Sequence, residues 1–247
     1  MPQNWLRFGL AIIIAGSSFS FNASAQMAPV KQWDKTIGGS DIDNFSSVQQ
    51  TTDGGYIIGG TSYSNISGLK SQNSYNSNDF WIIKLDANGN KQWDKTIGGS
   101  ASDLLRTVQQ TSDGGYILGG SSSSGISGDR TSSSKGNLDY WIVKLDQNGN
   151  KLWDRAFGGS NFNHFRCLQQ TADGGYILGG YSDSPVSGDK TQASQGVSDF
   201  WVLKLDGNGN KLWDKTFGGA GLDYLRDLKQ TSWGLHTRRL FCFGSWW

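Results

Sequence analysis

Polar and apolar positions along this chain alternate in short runs and never settle into a helical period. The first complete set reads FSSVQQT (Phe45 to Thr51), GYIIGGTS (Gly55 to Ser62), DFWIIKLD (Asp79 to Asp86) and KQWDKTIG (Lys91 to Gly98). Their lengths, their β-branched and aromatic content and the Gly, Asp, Asn and Ser clusters between them predict strands. The third run is apolar on both faces as far as Lys84. Such a strand must be covered on both sides, as when sheets stack face to face. The 35 glycines and pervasive serines argue against any long helix.

The whole pattern returns every 60 residues: KQWDKTIGGS stands at Lys31 to Ser40 and unchanged at Lys91 to Ser100, then as KLWDRAFGGS from Lys151 and KLWDKTFGGA from Lys211. A fixed period without insertions marks one supersecondary unit stacked several times. Inside each unit, Asp53-Gly54 and Asn88-Gly89 with their copies mark two tight hairpins. The remaining connection, between the second and third runs, is long. Trp81 and Trp93 with their copies Trp141, Trp153, Trp201 and Trp213 are the side chains large enough to fill the space between neighbouring sheets. The expected fold is all-β, a β-propeller-like array of four-stranded antiparallel blades in an incomplete ring. It comprises an entry strand within 31–40, blades at 41–100, 101–160 and 161–220, and a stub at 221–232. A lone entry strand, Trp33 to Ile37, would complete a blade whose other strands come from the far end of the chain.

The Gly-Gly doublets resemble those of kelch-like propellers, although the period is longer than the usual ~50. The pattern W-D-K-x-x-G-G-S, T-x-D-G-G-Y-I-x-G-G, D-x-W-I-x-K-L-D-x-N-G-N is more specific, and from Lys31 to Thr231 it resembles the delta-60-like repeat proteins exported by Bacteroidetes and related bacteria. That resemblance implies a propeller-like protein that is secreted or held at the cell surface, often with a C-terminal sorting domain, which is not legible in this sequence.

Residues 1–25 fit an exported protein by their own composition. Arg7 precedes an apolar run from Phe8 to Ala15, and Ala23-Ser24-Ala25 before Gln26 reads as a cleavage site. The run is far shorter than the ~20 residues of a membrane span. Removing this leader, whose only charged side chain is Arg7, leaves basic and acidic residues equal at 21. With the signs scattered evenly, no electrostatic footprint for nucleic acid or an anionic membrane is expected. Cys167 replaces Ser47 and Thr107 of the sister repeats, so no disulfide with Cys242 is expected.

After Gln230-Thr231-Ser232 the repeat demands D-G-G-Y-I-L-G-G, but the chain reads W-G-L-H-T-R-R. Codons for the expected residues, GAT GGG GGT TAC ATA CTC GGC GGC, spell W-G-L-H-T-R-R when read from the third base. The stretch 233–247 is therefore expected to be out-of-frame translation, which sequencing the gene across Ser232 tests.

Because strands alternate in direction, both tight hairpins share one end of the unit. The opposite end gathers the long loops and the connections between units, and loops on a rigid scaffold are where function sits. The expected ligand contacts there are Asp43 and Asp103, Tyr63 and Tyr181, and the loop-tip pairs Asp129-Arg130 and Asp189-Lys190. Ile66, Ile126 and Val186 are expected to anchor the loops. Asp34, Asp94, Asp154 and Asp214 recur in every unit, which suits bonding to turn backbone better than one reaction. D-x-N-G-N lacks the ligand spacing and closing Glu of a calcium loop, and His164 has no second His or Cys to share a metal. No catalytic residue, metal or cofactor is expected. The expected protein is a monomeric extracellular binding or scaffold module for a glycan or a protein. The alternatives are a secreted carbohydrate-active enzyme such as a glucan hydrolase, and a decayed gene product with no present role.

Overall fold

In the computed structural model, residues 31–75, 77–231 and 234–239 are described, and every regular element among them is a strand. Three four-stranded antiparallel sheets follow one another as blades, each in simple meander order. Blade one holds β1 (Asp43–Gln50), β2 (Tyr56–Ser62), β3 (Asp79–Leu85) and β4 (Lys91–Ile97). Blade two holds β5 (Asp103–Gln110), β6 (Tyr116–Ser122), β7 (Asp139–Leu145) and β8 (Lys151–Phe157). Blade three holds β9 (Asn163–Gln170), β10 (Tyr176–Ser182), β11 (Asp199–Leu205) and β12 (Lys211–Phe217). β13 (Leu225–Thr231) then pairs with β14 (Gly234–Arg239) as an open hairpin. That pairing reaches into the stretch for which shifted codons are expected, and residues 232–233 and 240–247 lie outside the described ones. The leader, 1–25, lies outside them as well.

The first strand of each blade lies against the first strand of the next, whereas β4, β8 and β12 do not touch one another. The blades thus fan out from their first strands, as propeller blades do, and the ring is not closed. Large rings fill the seams. Phe80 of blade one packs on Trp141 of blade two with centroids 4.9 Å apart, and Tyr140 packs on Trp201 at the same distance. Trp93 meets Tyr116 edge-on at 5.7 Å and Trp153 meets Tyr176 at 6.1 Å. Glycine is needed where blades approach most closely: a Cβ on Gly119 would stand 2.2 Å from the Phe165 ring. The third strands are buried along their length. Their one cation per strand still finds a partner, since Lys84 Nζ lies 2.8 Å from Asp53 and also donates to its neighbour's carbonyl, Leu85 O.

Two local expectations change. The entry segment 31–39 forms no strand, because among the described residues no third strand stands beside it to complete a ladder. Its side chains nevertheless do what an outer strand does elsewhere: Trp33 meets Tyr56 edge-on at 5.6 Å and donates to Ala87 O. In the hairpins only glycine takes positive φ, +82° at Gly54 and +77° at Gly89. The preceding Asp and Asn stay on the ordinary side, and the carboxylates of Asp53 and Asp86 collect the turn amides.

Candidate functional site

The loop end of each blade is held by polar side chains that point inward. The carboxylate of Asp94 accepts Trp81 Nε1 at 3.0 Å, the Ser71 amide at 2.9 Å and Lys91 Nζ at 2.8 Å. Asp154 and Asp214 bond the same way to their own blades. Each ties the long loop to the outer strands.

Most of the expected ligand contacts belong to this scaffold. Asp103 is fully buried, accepting the Gly99 amide at 2.7 Å and Ser124 Oγ at 3.1 Å, and half-buried Asp43 accepts Gly39 and Ser64 likewise. Asp129 and Asp189 accept the amides of Gly98 and Gly158 at 3.2 Å, tying one blade's long loop to the connection arriving from the blade before. Arg130 is buried, with its guanidinium 2.6 Å from Asp139 and a second bond to Ser122. Lys190 is buried with Nζ on Thr216 Oγ1 and Gln192 O, and burial pulls its pKa down to about 8. Arg130 and Lys190 are therefore corrected from exposed loop tips to internal anchors, because the loop folds over a long cation whose stem buries well. The apolar residues are corrected in the opposite sense: Ile66, Ile126 and Val186 are 62%, 70% and 61% exposed.

Tyr63 and Tyr181 do reach solvent, in separate clefts. Tyr63 lines a shallow polar one with Asp41, Asn65 and Tyr75. Tyr181 stands in the seam between blade three and β13, within a row of rings. Phe162 stacks on His164 at 6.0 Å, His164 on Tyr181 at 4.7 Å, and Tyr181 meets Tyr224 at 4.4 Å. Arg166 donates to the Tyr181 hydroxyl at 2.9 Å. A cleft opens beside the row, lined by Phe162, His164, Tyr181, Asp183, Val197, Ser198, Leu222 and Tyr224. His164 has its pKa lowered, by burial first and then by the positive charge of Arg166, with Asp183 opposing.

This cleft exists because the repeat breaks here. The residues equivalent to Tyr181 are Thr61 and Ser121, whose hydroxyls accept the backbone N–H of Leu105 and Phe165 on the next inner strand, each at 3.0 Å. In place of that small hydroxyl the Tyr181 phenol reaches across the seam to the Tyr224 ring and accepts from Arg166. His164 likewise replaces Asn44 and Leu104. Considered only as a metal ligand, His164 is uninformative in the sequence; the signal that would have found the row is joint departure from the repeat at two positions that the β9–β10 register places opposite each other. Among the described residues no group of three or more metal-ligating side chains forms, and no helix is long and apolar enough to cross a membrane.

Fold and cleft together define a propeller-like repeat module with one irregular seam. No family model matches the chain, and no curated protein matches it. Among solved structures, a protein of unknown function from Bacteroides caccae is similar at 12% identity and a TM-score of 0.37, over 77% of this chain and 68% of that one. An ACO/RPE65 chimera is similar at 14% identity and a TM-score of 0.37, over 70% of this chain and 39% of the chimera. Neither likeness is close enough to support a functional argument.

Proposed function

We propose that this chain is an exported, non-catalytic binding or scaffold module that holds a glycan in the cleft of the third seam. The observation that supports it is the row Phe162, His164, Tyr181 and Tyr224, which departs from the repeat and lines an open cleft instead of filling a core. Phe162 at the end of the row, 46% exposed, and the edges of the stacked rings offer apolar surface to sugar C–H groups, while Asp183 at the same cleft offers an acceptor for hydroxyls. Few, placed polar groups on an apolar floor are the usual make-up of a ligand site.

Hydrolysis fits this cleft less well. A glycosidase sets two carboxyl groups roughly 5 to 10 Å apart, and Asp183 is the one carboxylate among the cleft's described lining residues. The recurring aspartates are committed to loop backbone. Export rests on the composition of the leader.

The test is binding to a panel of soluble oligosaccharides by calorimetry, with Tyr181→Ser and His164→Asn returning the seam to residues found in the sister blades. At least one oligosaccharide should bind, and each substitution should weaken it at least tenfold while the far-ultraviolet spectrum stays unchanged. Binding by both variants at wild-type strength would overturn the site, and glycan cleavage would overturn the non-catalytic reading.

A further inference from the structure

The inner strands carry a second regularity. β1, β5, β9 and β13 each break their ladder at one repeat position, between Phe45 and Ser47, Leu105 and Thr107, Phe165 and Cys167, and Leu225 and Asp227. Such a bulge leaves one residue unpaired and re-aims its side chain. That residue is Ser46 on β1, but Arg106, Arg166 and Arg226 on the three strands that follow. Since these strands lie side by side, the bulges deliver three guanidinium groups to one strip of the inner surface.

The cations of this strip have no carboxylate bonded to them among the described residues. Among the described residues, none of the three arginines takes part in an ion pair, and the buried Nε of Arg166 has no hydrogen-bond partner. Arg106 lies within reach of the charges of the other two. The protein around Arg106 displaces water from its guanidinium, and that desolvation, followed by the charges of Arg166 and Arg226, lowers its pKa even though much of the side chain is exposed. Arginine stays protonated regardless, so an anion bound beside Arg106 would offset the positive charges that its neighbours place on it. Arg166 also touches Tyr181, which makes the strip continuous with the aromatic row.

We propose that Arg106, Arg166 and Arg226 bind the oxyanions of an acidic polysaccharide, carboxylate or sulfate groups spaced along a chain whose sugar rings rest on the adjoining aromatics. This rests on the glycan reading above and narrows its ligand class. Guanidinium suits either oxyanion, because its planar fork donates two parallel bonds and is weakly hydrated. A nucleic acid suits the surface less well. Its binding draws on a broad basic face, whereas this chain has a formal net charge of +1 and sets Asp183 in the same cleft as the aromatics.

The experiment compares a hexuronate polymer, the same polymer with its carboxyls reduced to hydroxymethyls, a sulfated galactan, single-stranded DNA and polyglutamate, each at about 50 and 200 mM salt. Variants Arg106→Ser and Arg226→Ser install the residue found at the first bulge. The wild type should bind one or both acidic polysaccharides at least tenfold more tightly than the reduced polymer, and added salt should weaken that binding. Each variant should remove most of this preference, and which acidic polymer binds separates carboxylate from sulfate. Equal binding of the acidic and reduced polymers would overturn the anion inference while leaving the glycan reading standing. Failure of all three polysaccharides would overturn the anion inference, and failure of the oligosaccharide panel as well would remove the glycan reading. Tighter binding to DNA or polyglutamate, or variants that keep the full preference, would overturn the proposal even if a glycan still binds.

Discussion

At the first two seams of this molecule a small hydroxyl, Thr61 or Ser121, accepts an amide from the next inner strand, and the rings on either side interlock. At the third seam Tyr181 occupies the hydroxyl's place, and Trp213, the counterpart of Trp93 and Trp153, stands 40% exposed. The first two seams are core. The third is half core, where Leu225 and Leu228 bury themselves against Gly179 and Cys167, and half open surface. In a repeat protein this contrast separates what the fold requires from what it can spare, since a position filled alike at every seam answers to packing. A position that departs at one seam has been released from it.

The largest expected effect tests that division directly. Trp141 is fully buried at the first seam, so Trp141→Ala should cost about 3–5 kcal/mol. Trp213→Ala, deleting a ring that remains partly in water, should cost about 1 kcal/mol or less. Urea denaturation of both variants measures it. Equal costs would mean that the third seam is packed as tightly as the others.

A second comparison separates the first seam from the second. Asp79 and Asp103 face each other across the first, while Asn163 takes the place of Asp103 at the second. Burial, with Asp103 adding to it, pushes Asp79 up to about 6, and Asp103 is raised by its own burial. The folded state therefore holds a proton that the unfolded chain gives up near 3.8. The contribution of Asp79 to stability therefore falls as pH rises from about 4 to 6, because over that window this carboxyl is protonated in the native state and ionised in the unfolded one. Asp103→Asn should flatten this slope and stabilise the protein by about 1 kcal/mol at pH 7. The native Asn163 indicates that the amide fits, donating to Leu138 O at 3.0 Å and Gly159 O at 3.2 Å. A variant less stable than wild type at pH 7 would show that the two carboxylates do not repel in the folded state.

A feature of this molecule is legible in its sequence when it is local to one repeat and hidden when it arises between repeats. The blades follow from β-branched runs, Asp-Gly and Asn-Gly turns and the fixed period, all of which act within one unit. The burial of Arg130 and Lys190 was not legible, because a charged residue followed by Thr in a serine-rich loop reads as solvated. Only the fold shows Asp139 waiting for Arg130, or Thr216 and the Gln192 carbonyl for Lys190. Ile126 was misread for the complementary reason: an apolar residue in a polar loop suggests an anchor, and here the cation already fills that role. The arginines recur at positions 106, 166 and 226 in plain view, yet an even overall charge hid them. Their convergence depends on bulges and on strand adjacency, which no single repeat encodes.

The smallest effect concerns His164, and it addresses the third seam alone, since no other histidine stands in the three blades. Its pKa in the fold lies below the ordinary value, because burial and Arg166 both disfavour the imidazolium and Asp183 only partly offsets them. Below pH 6.5 the unfolded chain then binds a proton that the folded seam resists. The stability that neutral His164 permits is complete above that pH and is lost as pH falls through the folded pKa. Between pH 7.5 and 5.5 the urea midpoint of the wild type should drop slightly more than that of His164→Asn, by well under 1 kcal/mol in free energy. The effect is confined because Arg106, Arg166 and Asp183 act on the ring together, so a bound polyanion near the two arginines would shield it and shrink the difference. Adding the hexuronate polymer to the same titration therefore couples stability to the site. If the polymer leaves the wild-type pH dependence unchanged, any ligand it represents lies away from the third seam.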